Sequence, residues 1–177
     1  MLELNATFVG MALVCAGGGA FFDVRTRRIP NWLTGPSLLA GLILHLVLGG
    51  WRSMATAALA GVLAGGAFLV FYLAGGMGAG DVKLMTAVGC LAGLAYVAEI
   101  LIATALMGGV FAIILAVSRH RLKDTLGNIG VLVMHHGTSG LRPHSDLNVT
   151  NAERLRLPYG LAIAAGTGIS FCSVLLR

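Results

Sequence analysis

The chain is poor in charge. Only 11% of its 177 residues are Asp, Glu, Lys or Arg, against 57% hydrophobic, and mean hydropathy is +0.89. Soluble domains carry about 25% charged residues, so a water-facing surface cannot be built here and lipid is the solvent for most of the chain. The net charge of +5 is small and local, which excludes a nucleic-acid footprint. Paired cysteines are also missing. Cys15, Cys90 and Cys172 lie far apart in apolar surroundings, with no CxxC pair, so they read as small buried residues rather than a zinc site or disulfide framework. A basic start is missing too. Met1–Asn5 holds no cation, so the first apolar run is expected to stay as a membrane helix rather than be cleaved as a signal peptide.

What the chain does have is apolar runs long enough to cross a bilayer. About six appear, near 4–22, 32–49, 54–73, 84–98, 100–117 and 158–176, the fourth and fifth separated only near Glu99. The cations sort by loop. Arg25, Arg27 and Arg28 follow the first run, Lys83 the third, and Arg119, Arg121, Lys123, Arg142, Arg154 and Arg156 lie between the fifth and sixth. The alternate loops hold only Arg52 and Glu99. The positive-inside rule puts the cation-rich loops in the cytoplasm and both termini on the other side. The expectation is an all-α integral membrane protein of about six transmembrane helices in one domain, 1–177, with a long cytoplasmic loop at about 118–157.

Within that loop Leu122, Leu126, Ile129 and Val133 recur at helical spacing beside cations. The segment reads either as an amphipathic helix on the membrane surface or as a loosely ordered loop. Its His120, His135, His136 and His144 read as solvated residues rather than metal ligands, since neighbouring histidines diverge on a helix. Gly61/Gly65 and Gly89/Gly93 have the GxxxG spacing that lets helices approach closely in lipid.

Two of the seven acids sit in unusual surroundings. Asp23 ends the first run, and Asp81 follows Gly78-Ala79-Gly80 just before the fourth, at the same predicted membrane face. An ionisable group at such a boundary suggests function, although Asp81 also suits a helix cap. Glycines at 78 and 80 permit close approach of a substrate or of a second aspartate. After Asp23, Pro30 ends any helical continuation, and Asn31 is placed to cap the second helix with Trp32 at the interface. Arg25 and Lys83 read first as lipid headgroup contacts.

Asp23 with Arg27-Arg28-Ile29-Pro30-Asn31, then Gly78-Ala79-Gly80-Asp81-Val82-Lys83, resemble the two signature motifs of the type IV prepilin peptidases, which are GxGD intramembrane aspartic proteases. Pro158-Tyr159-Gly160-Leu161-Ala162-Ile163-Ala164 is similar to that family's last-helix segment. The resemblance implies a catalytic pair, Asp23 and Asp81, and an active-site loop or substrate-binding set of Gly78, Gly80, Lys83, Pro30 and Asn31. It implies no cofactor and no metal. Two aspartates within a few ångströms cannot both ionise cheaply, so they share a proton. One takes a proton from water while the other polarises the scissile carbonyl.

The implied substrate is a prepilin with a short basic leader, cut at the cytoplasmic face of a bacterial inner membrane, with lipid as the other partner. The larger bifunctional relatives carry paired CxxC motifs and also methylate their product. Their absence here resembles the short, peptidase-only branch of tight-adherence (Flp) pilus systems, and archaeal preflagellin peptidases are a close alternative. A small proton- or cation-coupled transporter using the same two aspartates is the competing reading. It leaves the Ile29-Pro30-Asn31 turn and the glycines before Asp81 unexplained.

Overall fold

A computed structural model of the chain describes residues 2–118 and 158–176. Among these the structure is all helical: α1 (Leu2–Thr26), α2 (Asn31–Leu73), α3 (Ala79–Ala92), α4 (Leu94–Ser118) and α5 (Tyr159–Leu175). α1, α2 and α4 are long and apolar enough to cross a membrane, and α5 is a shorter apolar helix. In lipid a helix satisfies its own backbone, which is why apolar runs of this length take that form.

α2 is two helices. Gly50 interrupts it with φ 75° and ψ −177°, a conformation that L side chains rarely adopt. A methyl on Gly41 would lie 3.2 Å from the Leu91 backbone, and one on Gly61 would lie 3.2 Å from the Cys90 side chain. Twenty residues of straight helix span about 30 Å, yet both positions reach the same turn of α3. The chain therefore reverses at Gly50, between the second and third apolar runs. His45 holds the reversal. Its Nε2–H donates to the Leu91 carbonyl (3.2 Å), its Nδ1 accepts from the Ser53 hydroxyl (2.9 Å), and its ring stacks on Phe8 at 4.0 Å.

The break expected near Glu99 lies instead at Gly93, with φ 81°. This residue ends α3, its N–H donating to the Gly89 carbonyl. Glu99 is half-buried inside α4. A charge in an apolar run looks like a boundary, but a left-handed glycine makes one. Gly93 is thus a helix terminator rather than the second half of a packing motif. The segment 119–157, with the expected amphipathic helix, its cations and its four histidines, lies outside the described residues.

α3 is the centre of the bundle. Leu84, Met85, Ala87, Val88, Cys90, Leu91 and Ala92 are all buried, and they pack against α1, α2, α4 and α5. Small residues make this possible. A methyl on Gly89 would lie 2.6 Å from the Ala64 Cβ and 2.9 Å from the Ala60 carbonyl, so α2 and α3 meet almost backbone to backbone. The outer faces are apolar, with Val14, Val47, Val62, Ile102 and Leu106 all exposed. Trp32 (65% exposed) and Trp51 (68%) flank the first half of α2, roughly 28 Å apart at helical rise, the spacing of two bilayer interfaces.

Candidate active site

Asp23 lies in the last turn of α1. That helix ends at Arg27, which adopts φ 53° and donates its N–H to the Asp23 backbone carbonyl at 2.9 Å, a left-handed cap built without glycine. The Thr26 hydroxyl lies between the Phe22 and Arg28 carbonyls and tightens the turn. Pro30 then takes an extended conformation (φ −74°, ψ 142°) and α2 begins. The Asp23 side chain is directed at α5: the Gly160 N–H donates to its Oδ2 at 3.0 Å.

Asp81 is the third residue of α3 rather than a residue ahead of it. α2 closes in a Schellman motif, with Gly75 at φ 77° and Gly75 and Gly76 donating to the Tyr72 and Phe71 carbonyls. Gly78 is the N-cap of α3, and its N–H donates to Asp81 Oδ2 at 3.1 Å. Asp81 is therefore not the N-cap itself; it makes a capping contact from the N3 position, accepting the Gly78 N–H. Asp81 is 8% exposed, because it begins the most buried helix.

The two glycines before Asp81 do different jobs. A methyl on Gly78 would lie 3.3 Å from Asp81 Oδ2, so Gly78 clears space for the carboxylate itself. A methyl on Gly80 would lie 3.2 Å from the Ile29 Cβ, so Gly80 admits the turn that follows Asp23. Next to this contact, Lys83 Nζ donates to Asn31 Oδ1 at 3.0 Å. Asn31 was expected to cap α2, but the N-cap is Pro30 and no side chain bonds the first turn. The Asn31 oxygen goes to Lys83, an ammonium donor, in preference to a local backbone N–H. Pro30 shapes the turn and is half-buried.

Asp23, Pro30, Asn31, Gly78, Gly80, Asp81 and Lys83 thus gather at one end of the bundle. Gly160 of the third motif joins them, a site residue that the sequence pattern does not mark as such. Gly160 bonds Asp23, and Tyr159 beside it packs against the buried core of the bundle. The one signal was positional, since Pro158-Tyr159-Gly160 starts the last helix at the predicted face of the two aspartates. Phe21, Phe22 and Trp32 form an edge-to-face aromatic row beside the site, with Arg25 4.9 Å above Phe21. Arg25 is engaged there rather than with Asp23.

Residues 7–113 match the model of the type IV leader peptidase family. The chain belongs to that family. The match includes both aspartates and stops before α5, so the third motif lies outside it. No curated protein and no solved structure matches the chain. The family assignment makes the chain an aspartic peptidase of leader peptides, and its apolar helices make it a membrane protein.

Proposed function

We propose that Asp23 and Asp81 are the catalytic pair of a prepilin peptidase of the short, peptidase-only kind, removing the basic leader of Flp-like prepilins at the cytoplasmic face of a bacterial inner membrane. The observation that carries this reading is the convergence of two acid-bearing motifs about 58 positions apart, through the Gly80–Ile29 contact and the Lys83–Asn31 hydrogen bond. A transporter needs acids in a pathway but not a proline turn locked against a GxGD loop.

In the proposed mechanism one carboxylate takes a proton from the attacking water. The other, protonated, hydrogen-bonds the scissile carbonyl and then supplies the proton that the leaving amine requires. Lys83, Asn31, Pro30, Gly78 and Gly80 shape the approach to the pair. No metal or cofactor enters the reaction, and without paired CxxC motifs the product N-terminus leaves this enzyme unmethylated.

The helices form six spans in this reading, α2 supplying two. Both termini lie outside the cytoplasm, and the cations after α1 and beside Asp81 lie within it. Support comes from the reversal at Gly50, which puts Asn31 and Lys83 at the same end. Co-expression with an Flp-like prepilin tests the proposal. A product shortened at the leader junction with a free, unmethylated N-terminus is expected. An uncut prepilin, or a cut one methylated by this chain alone, contradicts it. Reporter fusions after Arg28 and Lys83 should both report cytoplasm, and opposite sides for the two would separate the acids.

A further inference from the structure

α5 opens at Pro158 (φ −73°, ψ 92°), which delivers Tyr159 and Gly160 to the corner between α1 and α3. The Gly160 N–H belongs to the first helical turn, where no helix carbonyl can receive it. It donates to Asp23 Oδ2 at 3.0 Å, with the positive end of α5 facing the carboxylate. Position 160 is also sterically closed. A methyl there would lie 3.0 Å from the Ala20 Cα, 3.0 Å from the Asp23 Cβ and 3.1 Å from Oδ2. The first of these is backbone and the second is the root of a short side chain, so neither can swing aside. Tyr159, one residue before Gly160, packs against the buried core of the bundle.

We propose that Gly160 is a positioning residue of the peptidase: its N–H holds the Asp23 carboxylate in working orientation, and its missing side chain is what lets α5 come close enough to do so. The inference rests on the reading of Asp23 as catalytic. An aspartate in the last turn of a half-buried helix end has several open rotamers. A single backbone donor, rigid because α5 is packed along α1 and α4, selects one.

The test is steady-state cleavage of a prepilin peptide by purified variants. Gly160→Ala pushes Asp23 aside by a sizeable fraction of an ångström, so kcat should fall on the order of 100-fold with KM within about twofold. A purely structural loss would instead lower the amount of active enzyme and leave per-site kcat unchanged. Gly168→Ala on the same helix, whose methyl would meet Leu13 Cδ1 at an ordinary 3.7 Å, should keep wild-type kcat. Pro158→Ala adds no bulk at the contact but frees the backbone that delivers Gly160, and should lower kcat about tenfold with KM unchanged. It is the deciding variant where Gly160→Ala does not accumulate. Wild-type kcat in the deciding variant overturns the proposal. Asp23→Asn is assayed alongside: inactive Asp23→Asn with a fully active Gly160→Ala sinks the positioning inference alone, whereas active Asp23→Asn sinks the catalytic reading beneath it.

Discussion

Replacing Gly89 by Ala should damage both the fold and the enzyme, although the residue is far from either aspartate. The added methyl would sit 2.6 Å from the Ala64 Cβ and 2.9 Å from the Ala60 carbonyl oxygen. Carbon atoms pack at about 3.5–4.0 Å, so α2 and α3 must separate by about 1 Å. Neither contact is the far end of a flexible side chain. Overpacking of this kind costs about 1–3 kcal/mol. α3 also carries Asp81, eight residues and roughly 12 Å along the helix, and a 1 Å misplacement of a catalytic group costs on the order of 100-fold in rate. Gly17→Ala provides the contrast: nothing lies within 4 Å of the new methyl, and Ala exceeds Gly in helix propensity by up to about 1 kcal/mol. The assay is thermal unfolding in one detergent together with prepilin processing at matched protein level. Gly89→Ala should melt lower and cut slowly, while Gly17→Ala should melt at or above wild type and cut normally. A Gly89→Ala protein with unchanged melting would refute the backbone-to-backbone contact between α2 and α3.

Three further outcomes follow from the structure. His45→Ala removes the donor to the Leu91 carbonyl, orphaned where α3 ends at Gly93, and the stack on Phe8. It should cost about 2–4 kcal/mol in denaturant unfolding, with cleavage intact in the molecules that remain folded. Lys83→Met and Asn31→Ala each break the link between the two motifs and should slow processing about 3- to 10-fold, the double variant being no slower than the worse single; full additivity would mean that the two side chains act separately. Arg27→Gly relieves a left-handed conformation at the end of α1 and should raise stability by about 0.5–1 kcal/mol, while Arg25 and Arg28 keep the topology; a lowered melting temperature would show that the Arg27 side chain contributes more than its backbone strain costs.

Composition alone foretold a helical membrane protein, because so few charges leave lipid as the only workable solvent. The apolar runs also marked the reversal at Gly50, where Gly49, Gly50 and Arg52 cluster. The boundary at Gly93 was not legible, since one positive-φ glycine looks like any other of 26 in the chain. Glu99 drew attention instead, as a charge stands out in an apolar run even when the helix continues through it. Asp23 and Asp81 stood out through their neighbours: Pro30 enforces a turn and the glycines remove bulk, both being local effects. Their connections were not local. Asn31 could cap its own helix or bond a residue 52 positions away, and only tertiary packing selects Lys83. The contact of Gly160 with Asp23 spans 137 positions and depends on a backbone N–H, which no side-chain pattern records. His45 carries no local signal of its role, because Ser53, Leu91 and Phe8 come together around it only after the chain reverses.

The central claim is that Asp23 and Asp81 act as one catalytic unit. The most direct measurement is processing of an Flp-like prepilin by Asp23→Asn, Asp81→Asn and the double variant, each at matched membrane level, with Glu3→Gln as control. Both single variants should lose cleavage, the double should be no worse than either, and the control should cut normally, because groups acting as a unit are strongly non-additive. Wild-type processing by either Asn variant would contradict the account.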